Sequence, residues 1–436
     1  MFSLVTGSIR SASLILLLFS PLNKTITHVG TYSDWGPHQF TASSPAGSVK
    51  KDYVYTTSIV RTTPYRLDSW RVKRDVSTGL ATALEHVNNA NITSASCYIT
   101  IPPPYTHVYS TGGPTGEVHE YDQQTGGFGK KIQQFAFVPE KDLDTVDKSP
   151  SALLTGAHGL DISSEHAFAA IMGTDAIEMF KRDLTTGRLT HLSTNVAPRP
   201  DIKDAYRHVK VHPNGKILYG LTEDSNYIDV YEILPTTLRH VSAHSILPPH
   251  ISPLGSPTAS NEGDEAGVLI NKYRGDTLVF APPHSLNPDS LIASTRGNTS
   301  AQTGWLAFYK VNPAGYILSP TYQDESIQQI TTNDTLIRFE TPTSGGIANT
   351  LDVRDKSAPA QGSGGEVVPK TEKEGYWIVL TDDEKDSLQR GGPMIRVYEW
   401  DGWKSHDRSV RIAAQWPAPG ETATWFDGAS HALWLD

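Results

Sequence analysis

The sequence is poor in cysteine, in net positive charge and in helical signals. Its 436 residues hold a single cysteine, Cys97. That excludes a disulfide framework and a cysteine zinc site. Lys and Arg number 37 against 47 Asp and Glu, a formal charge of -10. No basic stripe of the kind nucleic acid requires is present, so nucleic acid is excluded as a partner. Any anionic ligand has to be captured by a local group of arginines. Charged residues make up 19% and hydrophobic residues 38%, too little charge for general disorder and enough apolar content for a sizeable core. No amphipathic stretch with proper caps stands out, which argues against an α/β fold. The apolar run Leu14-Ile15-Leu16-Leu17-Leu18-Phe19, preceded by Arg10, is too short to span a bilayer and about right for the core of a signal peptide. Residues 1–25 are therefore read as a signal-like segment and 26–436 as one domain, with no membrane association in the mature form. Asn23-Lys24-Thr25, Asn91-Ile92-Thr93, Asn298-Thr299-Ser300 and Asn333-Asp334-Thr335 match the glycosylation acceptor pattern. No convincing cleavage site follows Ser20-Pro21, so a secreted and a cytoplasmic location both stay open.

What the chain does have is repetition. A short strand-forming phrase recurs as Gly116–Asp122, Ala176–Lys181, Tyr227–Glu232, Trp305–Lys310 and Met394–Trp400. Polar turns follow most copies, and further strand-like runs precede them, as Ile217–Leu221 does. Three or four antiparallel strands per unit of about 50 residues make a β-propeller blade. Radially packed small sheets cover one another's faces and leave only short edges. The length predicts an all-β, seven-bladed propeller. Wider gaps late in the chain hold Pro/Gly/Ser-rich stretches at 247–265 and 355–366. Residues 36–100 fit the rhythm poorly, so the early blades are expected to be degenerate or shortened.

One hairpin carries chemistry. Asn214-Gly215 is a strong two-residue turn signal between apolar runs. Folding there puts Arg207 opposite Thr222, one residue from Glu223. Alone, such a pair is more often a surface ion pair. His208 and His212 lie on one strand face, well apart, and make no zinc site. Asp382-Asp383-Glu384 is an acidic run that could bind a cation but reads more readily as a solvated turn. No Gly-x-Ser-x-Gly nucleophile elbow is present, and no glycine-rich loop opens a helix for phosphate.

From about residue 150 the chain resembles the fungal 3-carboxy-cis,cis-muconate lactonizing enzymes (carboxy-cis,cis-muconate cyclases), seven-bladed lactonase-type propellers. The resemblance is carried by Gly156-Ala157-His158-Gly159-Leu160, by Arg207 through Gly215, by Leu218–Glu223, by Ala293-Ser294-Thr295-Arg296, by Thr341–Gly346 and by Leu380–Asp383. His28–Tyr32 and Pro102–Tyr105 are similar to earlier landmarks of the family. The resemblance implies a site of His158, Arg207, Glu223 and Arg296. It also implies a reaction without cofactor or metal, interconverting 3-carboxy-cis,cis-muconate and its lactone in aromatic catabolism (the β-ketoadipate pathway). In the ring-opening direction a base removes a proton next to a carboxylate and the lactone oxygen leaves. Charge builds on an enolate-like carboxylate. Guanidinium groups suit that charge because they bind carboxylates through two parallel bonds and stay protonated. Arg207 and Arg296 are the expected clamp, and His158 and Glu223 the candidates for proton transfer. Where the family has a His after the Thr-Ser-Gly-Gly run, this chain has Ile347. The partner is a small carboxylate or lactone, and a homo-oligomer is allowed. Two other readings stay open: a lactone hydrolase resembling the 6-phosphogluconolactonase-type propellers, and a secreted binding propeller without catalysis.

Overall fold

In the computed structural model seven four-stranded antiparallel sheets stand around an axis as the blades of a propeller. The described residues are all except 45–50, 62, 252–255, 258–268, 271–272, 284, 319–333, 348, 358–374, 385–392, 422 and 424. The stretches read at 247–265 and 355–366 lie largely outside them, as does Asn333 of the fourth acceptor triplet. Among the described residues there is no α-helix; short 3-10 turns stand at Glu140–Asp142 and Pro150–Leu154.

Blade five shows the pattern. Its strands are β1 (Tyr206–Val211), β2 (Ile217–Thr222), β3 (Tyr227–Ile233) and β4 (Leu238–Ser245), paired in chain order. The first strand lies innermost and touches the first strands of blades four and six, Ala157–Ile162 and Tyr273–Ala281. All five copies of the recurring phrase are third strands of blades. Seven apolar clusters fill the seven gaps between neighbouring blades. Leu221, Ile228 and Val230 of blade five, for example, meet Leu278, Leu291 and Ala293 of blade six. A blade is thus apolar on both faces, so its middle strands read as continuous runs rather than as alternation.

That double burial overturns two expectations. The run read as signal-like is the third strand, Ser13–Ser20, of blade one. Ile15, Leu17 and Phe19 face blade seven, and Leu14 and Leu16 face blade two. Residues 1–25 therefore belong to the propeller and are not a separate segment. Blade one is completed on its inner edge by the last strand, Ala432–Trp434, pairing Leu4 with Trp434. First and last strands close the ring. The irregular stretch 36–100 likewise holds a complete blade of His38–Ser43, Tyr53–Ser58, Tyr65–Arg74 and Ala81–Ile92. Its third strand carries Arg66, Asp68, Arg71 and Lys73 among the apolar residues, which hides the phrase.

Candidate functional site

Arg207 owes its position to a bulge. The register of β1 on β2 runs Val211↔Leu218, Val209↔Gly220 and His208↔Leu221, and then jumps to Tyr206↔Thr222. Tyr206 and Arg207 thus lie opposite the single Thr222. The sequence placed Arg207 directly across from Thr222; the bulge instead releases it from pairing and re-aims it, the usual effect of such an insertion. Its Nη1 donates to Glu223 Oε2 at 2.5 Å. Glu223 follows the last residue of β2, and its own backbone N–H donates to the carbonyl of Ala205 at 2.8 Å, which fixes its start.

The same device recurs next door. Register shifts fall between Ala157 and Leu160 in blade four, and between Gly275 and Leu278 in blade six. His158 and Asp276 sit in those irregularities. Gly159 is required where blade four meets blade five, since a Cβ there would lie 2.6 Å from the carbonyl oxygen of Arg207.

Blade six supplies the other half of the cluster. Arg296, near the end of the strand Ser290–Gly297, donates from Nη2 to Glu223 Oε1 at 3.0 Å and from Nε to Asp276 Oδ2 at 3.1 Å. Arg207 Nη2 lies 3.5 Å from the same Asp276 oxygen. Arg274 donates from Nη1 to Glu223 Oε1 at 2.8 Å. Glu223, Asp276 and Arg207 are all buried. Burial alone would raise the Glu223 pKa, but Arg207, Arg296 and Arg274 together hold it well below the ordinary glutamate value. Burial also opposes the charge on Arg207, yet Asp276 and Glu223 keep its pKa above the usual value.

His158 completes the group without a direct bond to it. Burial first, then the Arg207 and Arg296 charges, depress its pKa well below the usual imidazole value, with Glu223 opposing. These causes favour the neutral ring. Neither ring nitrogen has a protein partner among the described residues, and Nδ1 is fully enclosed. Arg207 Nε is enclosed and unpartnered in the same way. The His158 ring centroid lies 5.7 Å from that of His208, and His208 packs edge-on to Tyr98 and Phe40. Cys97, whose Sγ lies 3.2 Å from the His158 carbonyl, is chemically quiet because burial pushes its thiol up to about 12.

A pocket of about 300 Å³ opens at this mouth, lined by Glu223, Arg274, Arg296 and, from other blades, Arg10, Ile347 and Glu384. Arg207, which bonds Glu223, and His158 are not among its lining residues. The four residues chosen from sequence thus converge: three in direct ionic contact, the fourth within electrostatic reach. Asp276, Arg274 and Arg10 went unnoticed. Arg274 and Asp276 stand two apart at the start of a strand, the spacing that shares one face, and that signal could have found them. Ile347 is 54% exposed at the pocket edge. The run Asp382-Asp383-Glu384 is not a solvated turn. Asp382 and Asp383 are buried, Asp382 accepting from Thr343 and lying 3.5 Å from Arg396 Nη1. No set of three or more His, Cys, Asp or Glu residues among those described is placed to hold a metal ion.

Seven four-stranded blades with an ionic site at one mouth define a lactonase-type propeller, and residues 9–264 match the family Lactonase, 7-bladed beta-propeller. The chain belongs to that family. Among curated proteins it is similar to Muconate cycloisomerase 1 of Cutaneotrichosporon cutaneum, 25% identical over 394 residues, 89% of each chain. Among solved structures it is similar to the periplasmic gluconolactonase PpgL of Pseudomonas aeruginosa (TM-score 0.60, 12% identity, covering 100% of this chain and 99% of that one). It is likewise similar to a Lactobacillus plantarum protein (TM-score 0.64, 14% identity, 100% and 99%). The two structural likenesses concern the fold alone.

Proposed function

We propose that this protein is a cycloisomerase that interconverts 3-carboxy-cis,cis-muconate and its lactone. One observation carries the reading: Arg207, Arg296 and Arg274 converge on Glu223 beside a neutral, unpartnered His158. The reaction needs preorganised positive charge where a carboxylate gains electron density, and a proton carrier that is uncharged at working pH. Glu223 suits the first need better than the second. Both of its oxygens are engaged by guanidinium groups, Oε2 by Arg207 and Oε1 by Arg296 and Arg274, so it presents no free oxygen to a substrate proton. Its role is to fix the guanidiniums in place.

In the ring-opening direction His158 accepts the proton from the carbon next to a substrate carboxylate. The electron pair left behind forms the new C=C bond, and the ring C–O bond breaks with its pair on the departing carboxylate oxygen. The guanidiniums stabilise the enolate-like charge between those events. Ring closure runs the same steps backward. The 25% identical relative bears the name of a muconate cycloisomerase, which supports the same class of chemistry.

The test is an ultraviolet assay of the purified protein with carboxymuconate and with carboxymuconolactone, without added metal. The expected result is reversible gain and loss of the conjugated diene. A hydroxy tricarboxylate that keeps one double bond but lacks the conjugated diene would replace this reading with lactone hydrolysis, and inertness toward both compounds would leave a binding propeller.

A further inference from the structure

The arginines at the pocket hold donors that Glu223 does not occupy. Arg274 donates from Nε to Asn298 Oδ1 at 3.0 Å and from Nη1 to Glu223 at 2.8 Å, and Nη1 lies 3.7 Å from Asp224 Oδ1. Its Nη2 has no protein hydrogen bond among the described residues. Arg10 comes from the far side of the ring, in the turn between Phe2–Thr6 and Ser13–Ser20 of blade one. Asp383 anchors it, accepting from Nε through the carbonyl at 3.2 Å and lying 3.0 Å from Nη2 through Oδ2. Its Nη1 likewise has no protein hydrogen bond among the described residues. The Arg274 and Arg10 side chains are 36% and 32% exposed, and both line the pocket together with Arg296. One carboxylate, Glu384, shares that wall and accepts from Ser344 Oγ at 2.9 Å. Two guanidiniums held rigidly by acids behind them, each with a free edge, form a ready anion receptor. Anchoring removes most of the ordering cost that a free arginine would bear on binding.

We propose that Arg10 and Arg274 form a second anion wall that receives a substrate carboxylate remote from the reacting carbon. The wall makes the pocket selective for tricarboxylates over dicarboxylates of similar size. This rests on the cycloisomerase reading for the placement of the reacting end, but not for the existence of the wall.

The test uses unreactive probes. Binding of propane-1,2,3-tricarboxylate and of glutarate, which lacks the central carboxylate, is measured by calorimetry on the intact protein at fixed low salt. The unmodified protein is expected to prefer the tricarboxylate by at least about tenfold, the effect of one charge-assisted contact. Arg10→Gln should erase most of that preference while changing glutarate affinity by less than about twofold, since the glutarate contacts remain, and Arg274→Gln should lower tricarboxylate affinity more than glutarate affinity. Arg10→Lys should restore part of it. Equal losses for both ligands, or no preference in the unmodified protein, would overturn the wall. A preference that depends on Arg10 and Arg274 in a protein inert toward carboxymuconate would sink the reaction and leave the wall standing.

Discussion

Two buried ion clusters meet in blade five, and they differ in how completely their polar groups are used. In the first, Arg199 donates from both Nη atoms to Asp229 at 2.9 and 2.6 Å and from Nε to Asp204 at 2.8 Å. The Tyr206 hydroxyl donates to the same Asp229 and meets that of Tyr231 at 2.5 Å. The guanidinium also stacks on Tyr227, 4.6 Å from the ring centroid. All three donor nitrogens of Arg199 are spent inside the protein. In the second cluster, Arg207 keeps an enclosed, unpartnered Nε beside the unpartnered His158, and a pocket opens on Glu223 and Arg296. Both clusters answer the cost of burying charge by pairing it. Only the second holds donors in reserve. In the first cluster the unpartnered atom is an acceptor, Asp204 Oδ2; a cluster whose guanidinium donors are all spent is scaffold, and one with spare, immobilised donors is built to receive something.

The comparison breaks first at His158. Exchanging it for Gln should lower turnover by about 10²- to 10⁴-fold, the usual worth of a positioned proton carrier, with the melting temperature unchanged or slightly raised. A large loss of stability with turnover intact would make His158 scaffold. Asp229→Ala should do the reverse. It strands Arg199 among buried groups and should cost about 3–5 kcal/mol of stability by thermal or urea unfolding, with ligand affinity in the folded fraction unaltered. Arg207→Ala should reduce kcat/KM by about 10²- to 10³-fold. It should cost less stability than Asp229→Ala, because Arg274 and Arg296 still neutralise Glu223. An equal fall in melting temperature for the two variants would erase the distinction drawn between the clusters.

The smallest effect is a pH dependence that sharpens the picture. Burial lowers the pKa of His38 to about 4 and, helped by Lys51, that of His431 to about 3. His158 and His208 are depressed as well, burial again being the largest cause. Above about pH 6.5 these rings are neutral whether the chain is folded or not, and nothing is lost. Below it the unfolded chain binds protons that the folded one refuses, so stability falls as pH drops toward about 4 for His38 and about 3 for His431. Melting temperatures recorded downward from pH 8 should hold steady and then decline below about 6.5. A Glu223→Gln variant should shed part of the decline at the acid end, where the unmodified carboxylate is pressed to protonate. A flat profile to pH 4 would mean that the histidines titrate normally.

The architecture was legible because third strands repeat a recognisable phrase, and so was the hairpin, because Asn214-Gly215 set its register. Gly215 has φ +70 in that turn, where a side chain would be strained. The site residues were legible through resemblance rather than geometry. What stayed hidden has a physical cause in each case. Ser13–Ser20 looked like a leader because a strand covered by blades on both sides needs no polar face. Residues 36–100 looked irregular because charged residues interrupt the third strand of that blade. The bulges that aim His158, Arg207 and Asp276 depend on an extra residue against a partner strand, and one strand read alone does not reveal a mismatch with another. Arg10 lies more than two hundred residues from Glu223 in sequence, and only ring closure brings it to the same pocket.

The closing strand has a further consequence. Residues 1 and 436 flank the adjacent strands Phe2–Thr6 and Ala432–Trp434, with Ser3 N–H donating to the side chain of Asp436. The present break falls between the innermost and second strands of blade one. Asn214-Gly215 occupies the corresponding point in blade five, and Gly215 has open space around it. A circularly permuted chain, spliced across the old ends and opened at that turn, would preserve every strand pairing. It would also place its new ends on the very hairpin that carries Arg207, turning the site into a sensor of its own zipper.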